Sequence, residues 1–529
     1  MTTTDIPRNG DKRFDVVVVG GGAAGLSGAL ALARARRSVL VIDAGQPRNA
    51  PASHVHNYLG REGTPPSELL GIGREEVTGY GGEILSGAVV AAERLEEGDF
   101  RVTLADGSSV LARRLLVTTG LVDELPEVQG LAERWGREVL HCPYCHGWEV
   151  RGERISILGT GPIAVHQALL WRQWSDRVTL FQHTAPDLTA EQAEQLAARD
   201  ITVVRGKVSA LAVTDDRLTG MAMADGRVIP SDAVIVGARA TARAGVLESL
   251  GLETVEQEMF GHAVGTYVPA DPAGATEVPG VWVAGNVATL TDVVITAAAA
   301  GLRAAGAING DLVAEDTRLA VAARRAQQEF WDSHYGERPQ VWSGNPNAIL
   351  VRETTDLKPG TALDLGCGEG ADAIWLAGRS WRVTAVDISG VALERAAGHA
   401  EQAGVAELID WQRHDLGMSF PEGVFDLVSA SFLHSYGDMP RERILRTAAS
   451  AVAPGGVLLV TGHAGWPSWQ QDPHPDVHFH TPQEVLRAIE PADGEWEVLL
   501  CEEHERIQNT PDGTPGTRTD NVLKIRRLR

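Results

Sequence analysis

The chain has 529 residues, 43% hydrophobic and 22% charged, ordinary proportions for a soluble protein of about three to four domains rather than a fibre or a disordered tail. Its net charge of −23, with no compensating Lys/Arg block, argues against nucleic acid and anionic membranes as partners. Four cysteines are too few for a disulfide scaffold; with no signal-peptide pattern and no apolar run of membrane-spanning length, a cytoplasmic location is expected.

In chain order, residues 14–43 form the first strand–glycine–helix–strand unit. Residues 101–120 predict a hairpin around Asp106-Gly107 and then a buried strand. A second βαβ unit covers 154–182, a second hairpin-plus-strand 217–238, and a buried strand ends at Gly285-Asn286. An Ala-rich helix over 288–330 marks the domain boundary. A third βαβ unit lies at 360–387, and 505–529 holds a Pro/Gly turn before a closing apolar strand. Three such units argue for parallel sheets flanked by helices, an α/β class.

The first glycine cluster fits G-x-G-x-x-G. Gly20 permits the tight turn, Gly22 lets backbone approach a pyrophosphate, Gly25 allows close helix–strand packing, and the helix N-terminus favours phosphate. Asp43, 23 residues after Gly20, ends the next strand where a carboxylate can hold ribose hydroxyls. The second cluster, with Gly159 and Gly161, has the same placement, but the same offset lands on Gln182, and the surrounding FQHTAPDL has no Arg for a 2′-phosphate. This segment is either a nicotinamide domain or one that has lost its nucleotide.

Cys142 and Cys145 stand at C-x-x-C spacing between the two units. Such a pair closes a redox disulfide and lowers one thiol pKa; zinc is the competing reading, but no second pair at ligand spacing is present. His146 follows directly and can move protons, or can be a turn residue.

In this order the motifs resemble the low-molecular-weight thioredoxin reductases over residues 12–315. The resemblance implies FAD on Gly20, Gly22, Gly25 and Asp43, with Gly285-Asn286 near the ribityl chain where the family has Gly-Asp. It also departs from the family: His146 replaces an acid, and the arginines for NADPH are missing. CPYCHGWE with DAGQPRN at 43–49 is closer to the thioredoxin-reductase-like dithiol oxidases of natural-product pathways. Those flavoproteins pass electrons from a small dithiol to oxygen without NADPH. By that likeness Cys145 faces the flavin and Cys142 exchanges with substrate. A pyridine-nucleotide-dependent reductase of a thioredoxin-like protein, or a flavoprotein sensor module, are the alternatives; NAD(P)H stays open as a cofactor.

In the C-terminal half, Asp364-x-Gly366-x-Gly368-x-Gly370 ends a strand and Asp387 closes the next. With Asp415 and a Pro-Gly-Gly before a further strand, this resembles class I S-adenosylmethionine-dependent methyltransferases. That likeness implies Asp387 on the ribose, Asp415 on the adenine amine and the 366–370 loop at the methionine end. Cys367 reads as a packing residue, and His434 is where a base could stand, though a structural histidine is the favoured reading there. His474, His478 and His480 raise a metal reading, but Thr481-Pro482-Gln483-Glu484 is a capping box that starts a helix, so no metal is expected.

The expected organisation is therefore two Rossmann-like domains of the thioredoxin reductase type followed by a methyltransferase domain. FAD-binding segments are expected at 12–121 and 251–315, a NAD(P)-binding-like domain carrying the C-x-x-C at 122–250, a helical linker at 316–340 and the methyltransferase at 341–529. A small thiol or a thioredoxin-like protein is the expected partner, and the resemblance implies a homodimer.

Overall fold

The computed structural model describes residues 12–96, 98–259, 261–433, 439–470, 478–492, 494–510 and 513–529. The chain divides into two compact units, Met1–Glu315 and Asp316–Arg529.

In the first unit, strand Arg13–Val19 pairs in parallel with Val39–Asp43 and with Ser109–Val117. The run of Val and Leu residues in these strands is buried on both faces, as parallel strands covered by helices must be. Strand Val281–Val283 returns beside Ser109–Val117, so sequence from both ends of the unit builds one sheet. A second parallel sheet follows the spatial order Thr202–Val204, Val178–Phe181, Ile155–Leu158, Ala233–Val236 and Val139–Leu140.

The second unit is built on a seven-stranded sheet. Strand Thr361–Leu365 lies between Arg382–Asp387 and Phe425–Ser431, all parallel. Val452–His463 continues the sheet and receives the hairpin Trp496–Asn509/Pro515–Arg527 antiparallel. The expected short closing strand is thus one arm of a long edge hairpin. Its first arm is rich in Glu, which lowers the strand signal while suiting a solvated edge.

The Ala-rich helix runs Val294–Gly336. It starts later than expected because residues 289–292 form a loop, and it stops short of Pro339, whose ring disfavours helical geometry at the residue before it. Residues 316–340, expected as a linker, group with the second unit. Tyr335 is buried there, and Asp332 accepts from Ser389 Oγ at 2.8 Å. Among the described residues no helix is long and apolar enough to cross a membrane.

Candidate functional site

A cavity of about 850 Å³ occupies the first unit. The first glycine turn forms one wall. Gly20 has φ +110°, and a Cβ there would meet the Thr118 carbonyl oxygen at 2.6 Å, so only glycine makes this turn. Gly25 packs on the Gly20 carbonyl, whereas a Cβ on Gly22 would meet nothing within 4 Å. That open side faces the cavity and suits a pyrophosphate approaching backbone N–H groups. Asp43 closes the same end, one oxygen paired with Arg74 at 2.8 Å.

Gly285 and Asn286 return to this cavity. The Asn286 amide donates to the carbonyls of Thr289 (3.1 Å), Leu290 (3.3 Å) and Asp292 (2.9 Å). An ionised aspartate has no hydrogen to donate, so the departure from Gly-Asp fixes the loop before the long helix.

Cys142 and Cys145 line the cavity on the single helical turn Pro143–His146. The Cys145 thiol donates to Cys142 Sγ at 2.8 Å. This hydrogen bond, with smaller help from backbone N–H groups and Arg48, lowers the Cys142 pKa to about 7. The same bond and burial push Cys145 far up, so above about pH 7 the pair holds one proton and Cys142 carries the charge. Burial keeps His146 below its ordinary value and takes His141 down to about 4, helped by the Arg48 charge.

Arg48 lies inside DAGQPRN, and nothing in that motif marks it for a role at the thiols. It grips Asp123 with two bonds of 2.7 and 2.6 Å and reaches Asn286 Oδ1 at 3.5 Å. It thereby brings fixed positive charge to the thiols.

The second glycine turn differs. Gly159 lies against the Phe181 and Gln182 carbonyls, and a Cβ on Gly161 would meet His262 Nε2 at 3.2 Å. Gln182 donates to Asp187 at 2.9 Å. The position where a pyrophosphate would approach therefore has an imidazole over it, and the ribose position has an amide turned to its own loop.

In the second unit the 366–370 loop leaves strand Thr361–Leu365. Asp364 is fully buried; Oδ1 accepts from Ser429 at 3.0 Å, while Oδ2 has no partner. Burial and nearby Asp372 raise this carboxyl to about 8. An orphaned buried carboxyl beneath a glycine loop fits a ligand with an amine or hydroxyl to offer. Asp387 accepts from the Gly368 and Ser389 amides at 2.9 Å each. Asp415 pairs with Arg324 at 2.8 Å, so an adenine amine would share it with that guanidinium. Burial pushes the Cys367 thiol well up, which suits packing rather than attack.

Two features of this unit escape motif reading. Tyr335 and Trp342, joined by a 3.0 Å bond, lie over Gly368, and Glu369 anchors this segment by accepting from the Val341 and Trp342 amides. At the end of strand Val452–His463, His463 Nδ1 lies 2.8 Å from Asp520 Oδ1, with its ring against Phe432. Asp520 is fully buried and also paired with Arg506. His434, where the sequence allows either a base or a structural histidine, lies outside the described residues.

Residues 14–302 match the model of the pyridine nucleotide-disulphide oxidoreductases. The chain belongs to that family. Residues 362–456 match a methyltransferase domain, so this family member is an enzyme with an oxidoreductase and a methyltransferase part. Thioredoxin reductase tcpT of Claviceps purpurea is 32% identical over 249 residues, 45% of this chain and 78% of that protein. The crystal structure of HlmI is 45% identical and covers 61% of this chain and 99% of its own, with TM-score 0.56. An oxidoreductase from Agrobacterium tumefaciens is 34% identical over 57% of this chain and 99% of its own, with TM-score 0.53. Family membership implies FAD and NAD(P)H, and the methyltransferase domain implies S-adenosylmethionine.

Proposed function

We propose that the N-terminal unit oxidises a small dithiol to its intramolecular disulfide with oxygen as final acceptor. The observation that carries this reading is that one cavity is lined by the first glycine turn and by both cysteines, while His262 covers the second turn. FAD, when bound at Gly20–Gly25 and Asp43, supplies the two-electron acceptor that oxygen reoxidises.

The cysteines do the exchange. With the pair oxidised, a substrate thiolate attacks Cys142 Sγ and Cys145 leaves, taking a proton as its high pKa favours. The second substrate thiolate then attacks the substrate sulfur of the mixed disulfide, and Cys142 leaves as the thiolate its low pKa favours. One S–S bond is broken and one formed, and two electrons pass to the cysteine pair. His146, kept neutral by burial, can take a proton at its imidazole nitrogen. Anaerobic mixing tests the reading: a small dithiol should bleach the flavin. Fast bleaching by NADPH or NADH, with dithiols inert, would overturn it.

For the C-terminal unit the reading is methyl transfer to sulfur of the same molecule or a close relative. Methylation blocks disulfide closure and closure blocks methylation, so a shared substrate gives the fusion a purpose. Asp387 and the 366–370 loop hold S-adenosylmethionine, and His463, oriented by Asp520, takes the thiol proton. With Cys142→Ser disabling oxidation, a reduced dithiol should yield a methyl thioether and Asp387→Ala should stop it. Normal S-adenosylmethionine binding with no dithiol methylated would end the shared-substrate reading.

A further inference from the structure

We propose that His478, His480 and Glu484 form a binding site for a divalent transition metal, zinc being the ion their chemistry fits best. The proposal is independent of the substrates of either unit. The Thr481–Glu484 capping box argues against a metal in the sequence, but the fold lets Glu484 serve both ends; His474 lies outside the described residues.

Thr481 caps helix Pro482–Ile489, and its backbone N–H donates to Glu484 Oε2 at 2.9 Å. This turns the carboxylate back over the helix start, toward the residues just before it. There Phe479 packs edge-on against Trp466 with ring centroids 5.4 Å apart, while its neighbours His478 and His480 meet with ring centroids 4.5 Å apart. Asn521 fixes the second histidine by donating from Nδ2 to its carbonyl at 2.6 Å. One ligand atom from each of the three residues lies within 4.8 Å of the others.

The spacing suits zinc. Bonds of about 2.0–2.2 Å to imidazole nitrogen and carboxylate oxygen put neighbouring ligands of a tetrahedron roughly 3.3–3.5 Å apart. His478 Nε2 and Glu484 Oε2 are already 3.3 Å apart. Two imidazoles and one carboxylate leave a coordination position open, the arrangement of sites that take a further ligand.

The test uses the full chain with the Cys142–Cys145 pair oxidised, so that the thiols cannot take the ion. Calorimetric titration with Zn²⁺ should give one ion per chain, and Co²⁺ in its place should give the visible absorption of a low-coordinate site. Losing an outer hydrogen-bond partner of a metal ligand costs roughly 10–100-fold in affinity; His480→Ala, which removes a ligand itself, should cost more. Glu484→Gln is the sharper variant, because glutamine keeps the capping bond and the helix but lacks the anionic ligand. It should weaken Zn²⁺ binding by about tenfold or more with the melting temperature of the metal-free protein unchanged. Zn²⁺ binding that survives in a His478→Ala/His480→Ala double variant would overturn the proposal, since the ion would then sit elsewhere. Absence of saturable binding in the parent chain would overturn it as well.

Discussion

In the first unit two strand–glycine–helix turns open on the same cavity, one at Gly20–Gly22 and one at Thr160–Gly161. Both follow a buried parallel strand and precede a helix. Across the first there is open space at Gly22 and a carboxylate at Asp43; across the second stand the His262 imidazole and the Gln182 amide. The turn supplies backbone N–H groups in both cases. Whether a dinucleotide can use them is decided by residues placed opposite: His262 comes from a strand more than 100 residues further along the chain. A glycine motif is thus a necessary half of a site, and the other half is tertiary.

The cysteines, which both turns flank, are where a substitution costs most. Cys142→Ser or Cys145→Ser should lower dithiol oxidation by about 10³-fold or more, the scale seen when one member of a cooperating nucleophilic pair is removed; FAD absorbance of the purified protein should stay. Next in size, Asp43→Ala should weaken FAD by about 10–100-fold, the worth of charged hydrogen bonds of roughly 1.5–3 kcal/mol. Gln182→Ala should leave turnover unchanged. Equal losses from the two variants, measured by flavin content and oxygen uptake, would show that the two turns are used alike. A gain of function is smaller. His262→Ala combined with Gln182→Glu uncovers the turn and restores a ribose acceptor, and stopped-flow reduction by NADH should improve by about tenfold, the worth of one such bond.

The same contrast explains what was legible in the sequence. The three βαβ units, the C-x-x-C and the capping box at Thr481 are local: each is written within about 30 residues, and hydrophobic pattern plus glycine placement define them. Arg48 with Asp123, His463 with Asp520, and Tyr335 with Trp342 over Gly368 were not legible. Their members are 75 and 57 residues apart in the first two cases, and nothing in spacing or periodicity pairs them. Glu484 was read as a cap and as nothing more, because a carboxylate that serves a helix start gives no sequence signal for a second role. The Glu-rich arm Trp496–Asn509 carries no clear strand signal because its pairing partner, rather than its own composition, holds it.

The smallest expected effect bears on how the cavity tunes its thiols. The Cys142 pKa of about 7 rests first on the hydrogen bond from Cys145 and only in lesser part on the Arg48 charge. For the reduced pair, alkylation of Cys142 by iodoacetamide should therefore be slow below pH 6, rise through about pH 7 and level off above pH 8, because the thiolate is the nucleophile. Two substitutions separate the causes. Cys145→Ser retains a donor but a weaker partner in the shared-proton pair, and should move the midpoint upward by the larger amount. Arg48→Lys keeps a positive charge but loses the two-bond grip on Asp123, whose carboxylate is nearly buried. The charge is then less well fixed near the sulfur, and the midpoint should rise by a smaller amount in the same direction. If Arg48→Lys moved it further than Cys145→Ser, the guanidinium rather than the neighbouring thiol would set the reactivity of Cys142. The first glycine turn would then bring, through DAGQPRN directly behind Asp43, the charge that arms the cysteines as well as a place for the dinucleotide.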